Sequence, residues 1–327
     1  MWPYPYLLFL EEEESISHTK MCIIRLLPLQ STPKKVSIPW YRKLLAVFEF
    51  LPFLPLELIL ILTLTRKRRK SKKRIETGVS RTALGVSAMR WSLHQFGVLY
   101  DPYSGLVLPF SFRVVAHSIY LQLVAFGAPV SYLFRSTIGT LYSRTIFFDS
   151  VVENSNLRQF VILGAGFDFR AHRLKLLPNC NIFEVDSEFT QQAKQKALIG
   201  ITLPRKVTYV SCNFSQENFL EKLKSNGFDP SIPTVFIMEG VLNYLSWEAS
   251  TDVGGGLSNL VKDIGEPFEF MLNREIDTPI SKFLPLGFSS CEIWLKPEDI
   301  NVTFLKETVP GFSGNGYLFC DLICLKN

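Results

Sequence analysis

The chain has 327 residues, 47% of them hydrophobic, and a formal net charge of +5, enough to bury a full core in one large domain with an extension. The charge is local: eight of the nine residues from Arg66 to Arg74 are basic, and taking them from 35 leaves 27 basic against 30 acidic residues. A distributed nucleic-acid footprint is thereby excluded. The six cysteines are scattered, and Cys320 and Cys324 lack the second close pair of a zinc site, so free thiols and no metal are expected.

Residues 1–43 read as a mobile tail, with an acidic run from Glu11 to Glu14 and scattered prolines. The short apolar start lacks the basic flank of a secretory signal. Residues 44–74 hold a hydrophobic segment, Leu44 to Thr65, followed by the basic run. The segment has the length of a bilayer span. Its apolar side chains favour insertion by about 5 to 9 kcal/mol, while Glu49 and Glu57 each oppose it by about 2.5 to 3.5 kcal/mol. Membrane attachment through Leu44 to Thr65 is therefore expected, with the basic run holding the rest of the chain on the cytoplasmic side. An interfacial anchor, a buried helix and a nuclear-import cluster are other readings of the same residues.

Residues 75–327 read as one domain. Gly78 to Gln95 has helical spacing at Ala83, Val86 and Met89 or Arg90, with Ser80 as N-cap. Phe112 to Gly127 and Thr137 to Val152 also predict helices. Arg144 lies on the second of these, either as a snorkelling surface residue or as a donor for a ligand carboxylate.

From Gln159 the pattern alternates strand and helix, the signature of a parallel α/β sheet. The apolar run Phe160 to Leu163 stops at Gly164-Ala165-Gly166, a strand running into a tight turn. A second run ends at Asp186, about twenty residues beyond the glycines, where such folds place a ribose-binding acid. Ser187 to Leu198 predicts a helix, Val207 to Cys212 a third strand followed by Asn213-Phe214, and Glu217 to Ser225 a helix. A fourth strand, Thr234 to Met238, leads into Glu239. Trp247 to Ile264 reads as a helix interrupted by Gly254 to Gly256. Phe268 to Leu272, Val302 to Leu305 and Tyr317 to Leu325 read as later strands.

Gly164, Gly166, Asp186, Asn213, Phe214 and Glu239 all fall at carboxyl ends of successive strands, the edge at which open α/β sheets bind ligands. A nucleoside-type pocket is the expectation. A dinucleotide fits poorly, because Phe169 stands where the NAD fingerprint wants a third glycine. S-adenosylmethionine has no phosphate, and its ribose diol, adenine and amino-acid end suit these residues.

Residues from about Arg81 to Leu245 resemble the leucine carboxyl methyltransferase family, including its bacterial S-adenosylmethionine-dependent O-methyltransferases. The resemblance rests on Leu163-Gly-Ala-Gly-Phe-Asp-Phe-Arg170, on Phe183-Glu-Val-Asp186 with Lys194, and on Pro233-Thr234 through Met238-Glu-Gly-Val-Leu-Asn-Tyr-Leu245. Arg81-Thr82-Ala83 and Tyr142-Ser143-Arg144 stand where the family supplies basic residues. The resemblance implies a Rossmann-like S-adenosylmethionine-dependent methyltransferase sheet with a helical N-terminal lid. In it Asp186 would hold the ribose, Gly164 would line the methionine end, and Arg144 and Arg81 would pair with its carboxylate. Asn213 and Phe214 would flank the adenine, and Glu239 would take the amino group. The family usually has Asp where Asn213 stands, and the stretch after Leu245 is short.

The implied reaction is methyl transfer to the oxygen of a carboxylate or hydroxyl, on a small molecule or a protein carboxylate. A carboxylate needs no general base; a hydroxyl would need one, with His94, His117 and His172 as titratable candidates. A second reading is a non-catalytic membrane-tethered adaptor that keeps the fold. A third, an NAD-dependent oxidoreductase, is disfavoured by Phe169.

Overall fold

The computed structural model describes residues 38–59, 80–130, 132–155, 157–214, 217, 219–232 and 234–239, together with six short strands outside them. Those strands form three antiparallel pairs: Tyr6–Leu7 with Leu27–Pro28, Leu10–Glu11 with Ile23–Ile24, and Ile293–Leu295 with Leu318–Cys320. The predicted helix Trp247 to Ile264 and the predicted strands Phe268 to Leu272 and Val302 to Leu305 lie outside the described residues.

The chain divides into two compact units. One comprises Met1–Ser37, Gly127–Ser155 and Leu272–Asn327; the other comprises Ile38–Phe126 and Asn156–Met271. In chain order the longer elements are α1 (Trp40–Phe50), α2 (Arg81–Gln95), α3 (Phe110–Phe126), α4 (Tyr132–Ser155), β1 (Gln159–Leu163), α5 (Arg170–Arg173), β2 (Asn181–Asp186), α6 (Glu188–Ala197), β3 (Thr208–Ser211), α7 (Phe219–Ser225) and β4 (Thr234–Met238). Only α4 belongs to the first unit.

The second unit is built on a parallel sheet in the order β3-β2-β1-β4. All five residues of β1 are buried. A central parallel strand is covered on both faces, which is why its sequence is continuously apolar rather than alternating. Gln159 opens the strand, and its amide donates to Asp229 O at 2.6 Å and to Thr234 Oγ1 at 2.9 Å, tying β1 to the entry of β4. On one face Val161, Leu163, Phe183, Val185 and Val210 pack with Leu223 of α7 and with Phe228. Gln191 of α6 donates to Glu184 O and Val210 O, at 2.8 and 3.0 Å, and fastens that helix across β2 and β3.

Register fixes what stands at the carboxyl edge. Leu163 is paired with both Val185 and Met238, so Gly164, Asp186 and Glu239 follow at one level. Asp186 is paired with Ser211, which places Asn213 just past the end of β3. This is the mixed α/β arrangement the sequence predicts, with the four strands of this sheet displaced by at most two residues; the predicted strand Tyr317 to Leu325 is shorter, Leu318–Cys320, and pairs with Ile293–Leu295 instead.

Helices α2 and α3 pack on each other through small residues. Ala88, Leu108 and Ala116 form their common core, and Ser92 Oγ donates to Ala116 O at 2.8 Å. Ser80 caps α2 as its sequence predicts, its Oγ accepting from Ala83 N at 3.1 Å.

The expectation of one continuous hydrophobic span over Leu44 to Thr65 is corrected over its described part. Helix α1 gives way to a 3-10 turn at Leu51–Phe53, and a further helical run covers 54–59. The turn carries Pro52, which has no N–H to continue the α-helical ladder. Ala46 and Phe50 of α1 are buried against Leu121 and Val124 of α3, and Glu57 accepts from Gln122 Nε2 at 2.9 Å. Among the described residues no helix is long and apolar enough to cross a membrane. Residues 60–65 lie outside the described residues.

Gly166 has φ +50°, and a Cβ there would stand 3.1 Å from Ala83 Cβ. Gly166→Ala is therefore expected to destabilise the protein by about 1–2 kcal/mol, from left-handed backbone strain with crowding against α2. Urea unfolding of the two proteins checks this, and an unchanged midpoint would mean the turn relaxes freely.

Candidate functional site

The turn after β1 is shaped by its glycines and by the neighbouring strand. Gly164 has φ +65°. Its N–H and that of Ala165 both donate to Val185 O, at 2.8 and 3.1 Å. Gly166 N–H then donates to Asp186 Oδ2 at 2.6 Å, while Asp186 Oδ1 accepts from Ser187 N–H at 2.6 Å. The glycine turn and the acid ending β2 thus meet directly. Burial pushes the Asp186 carboxyl above its ordinary value, against the opposing pull of the Gly166 and Ser187 N–H groups.

Beside this turn lies a group of buried charges. Arg170 Nη1 contacts Asp168 Oδ2 and Glu239 Oε2, each at 2.5 Å. Arg90 Nη2 donates to both oxygens of Glu239, at 3.1 and 3.2 Å, and Arg90 Nη1 stands 3.5 Å from Asp168 Oδ2. None of the four side chains is more than 8% exposed. Two carboxylates face two guanidiniums, so the cluster is neutral, as buried charge must be. Burial pushes the Asp168 carboxyl up, but Arg170 and Arg90 outweigh it and hold it at about 2.

A second buried pair supports the first. Lys194 Nζ donates to the Asp168 backbone carbonyl and to Glu184 Oε2, the latter at 2.6 Å. Its ammonium lies 4.8 Å from the centre of the Phe169 ring. Phe169 is fully buried, and the helix after the turn, α5, has only four residues.

The structure brings Gly164, Gly166, Asp186 and Glu239 to one stretch of sheet edge, as the strand pattern predicts. Asn213 is exposed at the end of β3, its N–H donating to Glu217 Oε2 at 2.8 Å. Phe214 is half-buried against the core beneath β3. Arg81 is exposed on the first turn of α2, and Arg144 is half-buried on α4 of the first unit.

Arg90, Asp168 and Arg170 were not legible as site residues. Helical spacing alone accounts for Arg90, yet it is buried, and its Nε has no hydrogen-bond partner among the described residues. The signal was an arginine close in sequence to Leu84, Ser87, Ala88, Ser92 and Leu93, the small and apolar residues that the helix buries. Asp168 and Arg170 lie inside the glycine motif, where an acid and a base two residues apart in an apolar run point to a local ion pair.

The three candidate bases have packed surroundings. His94 Nδ1 is 3.3 Å from Leu99 O, and His117 packs edge-on to Phe53. His172 lies among Tyr103 and Phe169, and burial lowers it from 6.5 to about 4.

A parallel sheet with a glycine turn, a strand-two acid and a buried acid past the neighbouring strand is the arrangement of a Rossmann-like α/β domain. The sequence model of leucine carboxyl methyltransferases matches residues 89–255, just over half of the chain, and the chain belongs to that family. A relative from Mycobacteroides abscessus, named "Putative S-adenosyl-L-methionine-dependent methyltransferase", is 31% identical over 186 residues, covering 54% of this chain and 60% of its own. Relatives named in the same terms from Mycobacterium marinum and Mycolicibacterium smegmatis are 28% and 38% identical over 193 and 114 residues. These matches cover 56% and 33% of this chain, and 61% and 36% of the relatives. The chain thus spans about three-fifths of the length of the first of these curated relatives.

Two outcomes test the electrostatics. Arg170→Ala removes a guanidinium that contacts both Asp168 and Glu239 and is expected to cost about 3–5 kcal/mol. The double change Arg170→Met with Asp168→Asn should cost less than that single substitution, measured by urea unfolding. The second concerns pH. The folded pKa of His172 lies below its unfolded value, so the unfolded chain takes up the proton first as pH falls. Stability present above pH 6.5 is therefore lost progressively towards about pH 4. His172→Gln should flatten that part of the thermal-midpoint profile; an unaltered slope would show that the ring is solvated.

Proposed function

We propose that the carboxyl edge of the sheet binds S-adenosyl-L-methionine and that the protein methylates an oxygen nucleophile. The observation that carries this reading is the 2.6 Å bond from Gly166 N–H to Asp186 Oδ2, on an edge that also holds Glu239. Family membership and the names of the relatives support it.

The residues fit the ligand's parts. The positive-φ glycines keep the turn free of side chains where a ligand would approach. Asp186 would accept the ribose hydroxyls, and Asn213 and Phe214 would flank the adenine. Gly164 would line the methionine end, Glu239 would hold its amino group, and Arg81 would face its carboxylate. Arg90, a buried cation at Glu239, would hold that carboxylate side chain in place for the amino group. When bound, S-adenosyl-L-methionine supplies an electrophilic methyl group on a sulfonium.

The transfer is balanced without a redox partner. The acceptor oxygen would form a bond to the methyl carbon as the carbon–sulfur bond breaks, which would leave a neutral thioether. The task of the protein is to align the two and exclude water. A carboxylate acceptor becomes an ester and releases no proton. A hydroxyl acceptor would need a base, and the three histidines among the described residues sit in packed, structural surroundings. A carboxylate acceptor is thus the reading these residues favour.

Calorimetry with S-adenosyl-L-methionine should show binding by the native chain, weakened at least about tenfold by Asp186→Ala, the loss of hydrogen bonds to a charged group. Unchanged affinity in the variant would remove Asp186 from the site, and no binding by the native chain would remove the reading. Transfer of labelled methyl groups into cell extract, followed by base hydrolysis, separates esters from ethers.

A further inference from the structure

The apolar residues of α1 divide between two faces. Ala46 and Phe50 are buried against α3. At about 100° per residue, Trp40, Tyr41, Leu44, Leu45, Phe48 and Leu51 fall together on the opposite side. Each of the six is at least half exposed, from 50% at Leu44 to 76% at Trp40. Exposed apolar residues scattered singly are ordinary, but a contiguous stripe marks a surface that meets something.

Charge decides what it meets. Arg42, Lys43 and Glu49 are exposed on α1 itself. The eight basic residues of Arg66 to Arg74 begin seven positions after Ile59, within at most about 25 Å of chain. From Arg42 to Arg74 the sequence carries ten basic and two acidic residues, a charge that an anionic lipid surface complements and a second copy does not. Trp40 and Tyr41, at the start of the stripe, are the side chains that favour the headgroup layer. The eleven residues of α1 reach only about 16 Å, against a hydrocarbon core of about 30 Å, so the helix is too short to cross.

We infer that the exposed face of α1 docks in the plane of an anionic lipid surface and holds the α/β unit beside it. Apolar side chains enter the headgroup boundary while the buried face stays on α3, the geometry of an interfacial amphipathic helix. The inference stands independently of methyl transfer.

Flotation of the full chain with vesicles tests it. Binding is expected with phosphatidylserine in phosphatidylcholine, and much weaker binding with phosphatidylcholine alone. Leu44→Glu with Phe48→Glu should lower binding at least about tenfold, with an unchanged far-ultraviolet dichroism spectrum. Replacing the basic residues of 66–74 with glutamine should remove the preference for anionic lipid, and alkaline carbonate should release the native chain. Undiminished binding by the Glu variant, no binding to either vesicle, or retention through carbonate would overturn the inference. So would a dimer, seen by light scattering, that the same Glu variant dissolves while no vesicle is bound.

Discussion

Four side chains stripped of water must neutralise one another, and this requirement governs the carboxyl edge of the sheet. Arg90 comes from α2, Asp168 and Arg170 from the turn and helix after β1, and Glu239 from the end of β4. An unpaired charge at that depth costs several kcal/mol, so each element is held where its partner can be reached. The cluster couples a helix outside the sheet to two adjacent strands, and it sets the position of Glu239 more tightly than strand register alone would.

The glycine turn solves a different problem at the same edge. Leaving β1, the backbone must turn back over β2, and Gly164 and Gly166 do this with positive φ while their N–H groups find acceptors on Val185 and Asp186. The acid at the end of β2 is thereby held by backbone and needs no buried cation in contact with it. Asp186 keeps partial access to solvent, whereas Asp168, two residues beyond the turn, is enclosed by guanidiniums. One carboxylate stays partly open at the sheet edge and the other holds the frame.

Much of this could be read from the chain. Continuous apolar runs ending in Gly164, Asp186 and Glu239 carry the sheet, because a strand covered on both faces needs apolar residues throughout and polar groups only at its end. Ser80 was legible as a cap because capping is local. The ion cluster was not legible. Arg90 and Arg170 are separated by α3, α4 and β1, and no short-range pattern states that two distant arginines will share two carboxylates. His172 shows the converse: its type suggested chemistry, while its place among aromatic rings is structural.

The segment from Leu44 shows why composition alone cannot choose between a span and a packed helix. Both need apolar residues, and a window average does not record which face they occupy. The face positions separate the two cases: Ala46 and Phe50 meet α3, while Leu44, Leu45 and Phe48 point away from it. Glu57, counted from composition as a charge opposing insertion, is instead an acceptor for Gln122 that pins the second helical run to α3. The same residues that make a bilayer span arithmetically feasible therefore serve two smaller surfaces, one closing the core and one left open, and a strongly basic stretch follows them in the sequence.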